Sequence, residues 1–338
     1  MHIALDAMGG DFGPEELITG ALLAIKEAGI KVTLVGDSEL LQTRIATIPG
    51  SSDPVSSLEI AHASEVIGMD EYPVEAIRRK KDSSIMVAFE MVKRGDAAGV
   101  VSAGNSGATM AAALRKLGRV KNVLRPGIAS MFPTLKNPVT IMDIGANVDC
   151  RPSHLFQFAV MASAFAELSK IDRPRVGILS IGEETGKGNT LVKETYELLQ
   201  QSSLNFIGNV EGRDVYKGDV DVIVCDGFVG NNILKVSEGL ADAIMQMLRS
   251  EISKSSLAKL GYLLARPAFK RFKKRVDYTE YGGAPLLGIN GTGIICHGKS
   301  NARAIKNAIL EAVKVSENNI KDKISEDLAR NQPAAMES

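Results

Sequence analysis

The sequence predicts an α/β fold, a mostly parallel sheet flanked by helices and arranged in two lobes. Three observations predict it. Short β-branched or apolar runs alternate with segments of helical period, the signature of strand–helix–strand units. Nearly every strand candidate runs directly into a glycine-rich polar loop, as at the carboxyl edge of a parallel sheet, where ligands bind. No Ser/Gly- or Pro-rich linker and no internal repeat divides the 338 residues. One two-lobed catalytic unit over 1–330 is therefore expected, with 331–338 a disordered polar tail.

The elements follow in order. Strand Ile3–Ala7 precedes a helix that opens at Pro14, where a missing N–H costs nothing, and stops at Gly29. Strands Lys31–Val35 and Leu58–Ala61 come next. Ser83 reads as the N-cap of a helix ending at Gly95, which feeds strand Ala98–Ser102 and helix Gly107–Leu117. Strand Val139–Asp143 leads to helix Ser153–Lys170, and Arg175–Ile181 to Thr190–Gln201. Strands Asn205–Val210 and Asp221–Asp226 precede a long helix, Asn231–Ile252. Strand Gly293–Cys296 and helix Asn301–Ile320 close the pattern.

The glycine-rich loops are DAMGGD (6–11), SAGNSG (102–107), DIGAN (143–147), SIGEETGKGN (180–189), GNVEGRD (208–214), DGFVGN (226–231) and GGAPLLGINGTG (282–293). They are expected to converge on one sheet edge, where glycine lets the backbone approach a ligand and aim N–H groups at it.

Composition narrows the function. Forty basic residues balance forty acidic ones, and aromatics are only 5% with no tryptophan. That argues against a basic or base-stacking nucleic-acid binder. Cys150, Cys225 and Cys296 are too far apart for a disulfide framework or a cysteine-rich zinc site. The amino terminus enters HIALDA without a basic region or a long apolar stretch, so a cytoplasmic protein is expected.

Familiar catalytic motifs fail. SAGNSGA lacks the first glycine of a dinucleotide fingerprint. Only three residues separate Gly182 from the Gly186–Lys187 pair, and Gly188 follows where a P-loop needs Ser or Thr. No G-x-S-x-G nucleophile elbow is present. His2, His62, His154 and His297 have no metal-ligand spacing; His62 and His154 read as surface or cap residues. Cys225 has apolar neighbours that would raise its thiol pKa, which disfavours it as an acyl carrier. Anion-binding loops without a protein nucleophile suggest that the nucleophile belongs to a substrate.

Taken in this order, DAMGGD, SAGNSGA, DIGANVDC, GEETGKGN, GNVEGRD, DGFVGN and YGGAPLLGINGTGIICHGKS resemble the bacterial phosphate acyltransferase family, over about residues 1–315. Two positions depart from the family pattern: Ser180 stands in place of Asn, and Gly186 in place of a bulkier residue. The resemblance implies transfer of a fatty acyl group from acyl carrier protein to inorganic phosphate, giving acyl phosphate for phospholipid synthesis. It implies a homodimer and a fold related to isocitrate/isopropylmalate dehydrogenases and phosphotransacetylases. It also implies a membrane acyltransferase that consumes acyl phosphate, and no metal or cofactor.

On that reading phosphate attacks the thioester directly and the protein positions it and stabilises the oxyanion. Lys187 is expected to bind phosphate, assisted by N–H groups of Gly186, Gly188 and Asn189. Asn231 is an oxyanion or phosphate donor, or else a plain N-cap. Asp226 orients Lys187 or a water, or is an ordinary ion-pair partner. Asn105, Ser106, Asn147 and His297 are candidate phosphate or thioester contacts. Asp6 and Asp11 read as loop braces rather than magnesium ligands. An NAD-dependent dehydrogenase and a non-catalytic scaffold stay open as other classes.

One segment breaks the charge balance. Residues 262–276 carry Arg266, Lys270, Arg271, Lys273, Lys274 and Arg275 and no acid. Leu257, Leu260, Leu263, Leu264, Phe269 and Phe272 are interleaved. The element 254–276 is expected to project and to meet acidic carrier protein, an anionic membrane surface or the other subunit. Leu260 and Leu264 would form an apolar tip for peripheral membrane contact.

Overall fold

The computed structural model describes residues 1–48, 57–276 and 282–331, with the side chains of 273–276 outside that description. It is the expected α/β fold; the described residues form an eleven-stranded sheet with helices on both faces. The strands are β1 (His2–Asp6), β2 (Lys31–Gly36), β3 (Leu58–His62), β4 (Gly99–Ser102), β5 (Gly127–Phe132), β6 (Val139–Met142), β7 (Arg175–Leu179), β8 (Asn205–Val210), β9 (Val222–Val224), β10 (Ala284–Leu287) and β11 (Gly293–Ile295). Their order is β3-β2-β1-β4-β11-β10-β5-β6-β9-β7-β8.

Strands β3, β2, β1, β4 and β11 are mutually parallel, and so are β6, β9, β7 and β8. Between the sets, β11–β10, β10–β5 and β5–β6 are all antiparallel. Three reversals leave the two parallel sets running in opposite directions. The seven glycine-rich loops therefore do not share one edge, as the alternation alone suggests. The sequence pattern also passes over β5 and β10. Strand β10 is short, contains Pro285 and follows Gly282–Gly283, features that read as loop.

Side chains alternate between two core layers. Ile3 and Leu5 enter one and Ala4 the other; Met142 and Ile141, Val224 and Ile223, Ile294 and Ile295 divide the same way. The first layer is covered by α1 (Pro14–Ala28), α6 (Pro152–Glu167), α7 (Thr190–Gln200), α10 (Ala302–Glu317) and α11 (Ile320–Arg330). The second is covered by α3 (Pro73–Arg79), α4 (Ser84–Arg94), α5 (Ser106–Lys116) and the base of α8 (Gly227–Ser253). Helix α2 (Ser38–Thr47) sends Leu41 into the first layer.

Most local signals act as their chemistry dictates. Pro14 begins α1, and Gly29 ends it with φ +62. Ser83 precedes α4, but its hydroxyl donates to Lys80 O instead of capping forward. His154 Nδ1 accepts from Arg151 N at the start of α6. Asn331, placed in the polar tail by sequence, is buried and accepts from Ser203 N and Oγ at 3.1 and 2.7 Å. The rest of that tail, 332–338, lies outside the described residues.

Helix α8 extends well past the core and pairs with α9 (Ser256–Val276), the basic segment. Leu257, Leu260, Leu263 and Leu264 are exposed there, as are Arg266, Lys270 and Arg271. The side chains of Lys273, Lys274 and Arg275 lie outside the described residues. Among the described residues no helix is long and apolar enough to cross a membrane.

Candidate functional site

A cleft of about 310 Å³ crosses the central strands between a first lobe, carrying β3, β2, β1, β4 and β11, and a second, carrying β6, β9, β7 and β8. Ile128 and Ser130 of β5, Ala284 of β10 and Ile295 of β11 line it. Asp11, Gly104, Ser106, His297 and Ser300 enter from the first lobe, and Ile144, Gly145, Asn231, Leu234, Lys235 and Glu238 from the second. Five of the seven glycine-rich loops contribute a lining residue; those after β7 and β8 do not.

The second-lobe wall is built on a buried carboxylate. Asp143, fully buried at the end of β6, accepts from Ile128 N, Ala146 N, Asn147 N and Asn147 Nδ2 at 2.6–3.2 Å. Burial pushes its pKa above the usual carboxylate range despite those bonds. Asn147 Nδ2 also donates to Pro126 O at 2.8 Å. Asn147 is thus a buried brace of the 143–147 loop and not one of the cleft-lining contacts expected of it.

Helix α8 then docks on that loop. Gly227 N donates to Asn147 O at 2.7 Å. Neither Gly227 nor Gly230 has room for a methyl group, whose carbon would lie 2.7 Å from Asn147 O and 1.9 Å from Asp143 O respectively. Asp226 is the N-cap, accepting from Val229 N at 2.9 Å. The helix therefore starts four residues before the expected Asn231, and Asn231 is no N-cap. It sits in the second turn, exposed to the cleft and packed over Gly145. Asp226 serves the helix end, with no ion pair to Lys187 among the described contacts.

The first-lobe wall has a similar brace. Asp6, at the end of β1, accepts from Ser102 Oγ at 2.7 Å, and Ser102 Oγ accepts from Gly104 N at 3.1 Å. Burial raises the Asp6 pKa, while Ser84 and Ser102 oppose the shift. Asn105 caps α5 by accepting from Ala108 N and holds residues 69–71 through Nδ2 bonds to Met69 O and Glu71 O. It is a scaffold residue, whereas its neighbour Ser106 faces the cleft. Ser106 begins α5, and Ser300 and Ala304 flank the start of α10, so two helix N-termini stand at this wall. Their partial positive charge favours an anion.

Lys187, Gly186 and Gly188 lie on the exposed loop between β7 and α7, outside the cleft lining. Asn189 caps α7, accepting from Val192 N at 2.9 Å. Strand β9 separates β7 from β6, so this loop emerges two strands, roughly 10 Å, from the 143–147 loop. The Lys187 stem packs close to Gly182 of its own loop.

One cleft residue outside the sequence-predicted set is Lys235. It sits one turn after Asn231, on the same face of α8, and that spacing is the signal that marks it. Its Nζ is 2.8 Å from Glu238 Oε2 and 3.0 Å from His297 Nε2 across the cleft. The cysteines are poor nucleophiles here. Burial pushes the Cys296 thiol up to about 12, and burial with the Asp226 and Asp143 charges pushes Cys225 well above its ordinary value.

Comparison with known proteins places this architecture. Residues 1–323 match the family model "Fatty acid synthesis protein". The chain is 54% identical to the phosphate acyltransferase of Nitratidesulfovibrio vulgaris (strain DP4), covering 98% of this chain and 95% of that protein. It is 52% identical to the phosphate acyltransferase of Geotalea uraniireducens (strain Rf4), covering 100% and 97%. Among solved structures, a phosphotransacetylase from Streptococcus pyogenes superposes with TM-score 0.62 at 16% identity, covering 94% of each chain. A 4-hydroxythreonine-4-phosphate dehydrogenase from Klebsiella pneumoniae gives 0.55 at 14%, covering 94% of this chain and 99% of that one. Those two likenesses concern the fold, whereas the full-length matches above half identity show that the chain belongs to the fatty acid synthesis protein family, that of the phosphate acyltransferases.

Proposed function

We propose that this enzyme moves a fatty acyl group from the thioester of acyl carrier protein onto inorganic phosphate. The observation that carries the reading is the cleft between the lobes, where Asn231 and Ser106 come from opposite walls and two helix N-termini stand close by. An oxygen of hydrogen phosphate attacks the thioester carbonyl carbon. The carbon–sulfur bond breaks, and the phosphate proton goes to the departing thiolate. The products are acyl phosphate and free carrier thiol, so atoms and charge balance without an acyl-enzyme, a metal or a cofactor. High thiol pKa values at Cys225 and Cys296 support that direct route.

Asn231 stabilises the tetrahedral oxyanion, and Ser106 donates to the phosphate or the carbonyl. Lys187, with the Gly186, Gly188 and Asn189 backbone, attracts phosphate toward the cleft from its neighbouring loop. The apolar tip of α9, with Leu260 and Leu264, rests on an anionic membrane surface, while Arg266, Lys270 and Arg271 meet phospholipid headgroups or acidic carrier protein. The working form is a cytoplasmic, peripherally associated homodimer that delivers acyl phosphate to a membrane acyltransferase.

The test is incubation with palmitoyl-loaded carrier protein with and without phosphate, followed by mass spectrometry. Phosphate-dependent palmitoyl phosphate is expected. Thioester loss that ignores phosphate would overturn the assignment.

A further inference from the structure

The cleft presents an electrostatic problem for the reaction proposed above. Asp11 and Glu238 both line it, and a phosphate anion must enter beside them. At an effective dielectric constant near 20, two unit charges 4 Å apart interact by about 4 kcal/mol, so an unaided anion would be repelled. Lys187 is outside the lining. Among the described lining residues, Lys235 is the one lysine or arginine.

We propose that Lys235 is the cation that holds the attacking phosphate, with His297 as the second donor on the opposite wall. Three observations support the assignment. Lys235 and Asn231 are four residues apart on α8 and both line the cleft, so an anion on Lys235 lies beside the Asn231 amide. Glu238 is mostly covered, with its side chain 17% exposed against 47% for Lys235. The 2.8 Å bond between them anchors the ammonium at the wall while leaving it accessible. An ammonium has three donors, and Glu238 needs only one.

The third observation is the 3.0 Å approach of Lys235 Nζ to His297 Nε2. It spans the lobes, because Lys235 belongs to α8 and His297 to the loop between β11 and α10. That loop is tied to the 6–11 loop by Asp11 N donating to Gly298 O at 2.7 Å. A phosphate oxygen arriving between the two nitrogens accepts an N–H from each, replacing a nitrogen–nitrogen contact with two nitrogen–oxygen bonds. The anion then joins both lobes through one oxygen.

This inference rests on the acyl-transfer reading, and its test separates the two. Steady-state kinetics with acyl carrier thioester and inorganic phosphate are compared for wild type, Lys235→Met, Lys235→Arg and His297→Gln. Losing one charge-assisted bond should raise the phosphate KM of Lys235→Met roughly 10- to 100-fold. The thioester KM should stay within about twofold, because that interaction is not touched. Lys235→Arg should recover part of the phosphate affinity, and His297→Gln should raise the phosphate KM less than Lys235→Met. An unchanged phosphate KM in Lys235→Met, or an equal rise for both substrates, overturns the proposal.

Equilibrium dialysis with radiolabelled inorganic phosphate supplies a readout without turnover. Wild type should bind saturably and Lys235→Met weakly; equal binding by the two overturns the role of Lys235. Phosphate binding that depends on Lys235, in an enzyme that consumes no thioester, would refute acyl transfer and leave this site standing.

Discussion

A methyl group at position 230 would place its carbon 1.9 Å from the carbonyl oxygen of Asp143 and 3.1 Å from Cys225 Sγ. Relaxed contacts of this type are roughly 3.5 Å, so the first turn of α8 would have to retreat by more than about 1 Å. Its neighbour Asn231 moves with it. Misplacing a reacting group by ~1 Å costs on the order of 10²-fold in rate, and overpacking costs about 1–3 kcal/mol of stability. Gly230→Ala is therefore expected to lower kcat about 100-fold and to lower the urea midpoint, with helical circular dichroism retained. Gly239 is the control on the same helix. Nothing lies within 4 Å of a methyl group there, and it is exposed. Gly239→Ala should be neutral or up to ~1 kcal/mol more stable. A Gly230→Ala protein with wild-type turnover and midpoint would refute the docking argument.

Asn231→Ala should reduce kcat by about 10²–10³ with an unchanged unfolding midpoint, measured by thioester release; full turnover would remove its oxyanion role. Burial opposes the charge on Asp221, but its bonds to Arg175 prevail and hold its pKa below the usual range. It therefore contributes stability above about pH 3.9 that is lost as pH falls through its lowered folded value, and Asp221→Asn should flatten that acid limb in urea titrations. Burial raises the Glu311 pKa, and its Oε1 has no hydrogen-bond partner among the described residues. The sign is opposite: its contribution is full below about pH 4.3 and lost as pH rises through the raised value, so Glu311→Gln should stabilise at pH 7 and converge with wild type near pH 4. Paired Leu260→Glu and Leu264→Glu changes should abolish pelleting with anionic vesicles; equal pelleting would remove the apolar tip from the membrane reading.

The strands, the main helices and the glycine-rich loops were legible because each has a local cause. Pro14 starts a helix, Gly29 stops one, and Asp6, Ser102 and Asp143 end strands. What sequence could not show was direction. The three antiparallel pairings at the centre depend on β5 and β10, and β10 hides behind Pro285 and its glycines. Without them the alternation puts all seven loops on one edge. The amide of Asn231 marks it in the sequence, but the start of α8 is hidden because Gly227 and Gly230 look like turn residues. They are glycines because Asn147 and Asp143 leave no space for a side chain. Asn105 and Asn147 have the chemistry of ligand contacts, yet both spend their amides on neighbouring carbonyls.

The chain returns at its end to where it began. Strand β11 lies between β4 and β10, and α10 packs on α1 so closely that a methyl group at Gly20 would be 2.6 Å from Ile305 Cβ. During synthesis, then, the amino-terminal lobe emerges from the ribosome long before its missing strand and helix do. Its four early strands must wait, with one edge unpaired and the side of α1 that meets α10 bare, until residues 293–317 have been made. Nascent-chain release before β11 should consequently yield a species that chaperones hold, and the cleft can form only once residues 283–304 have been made.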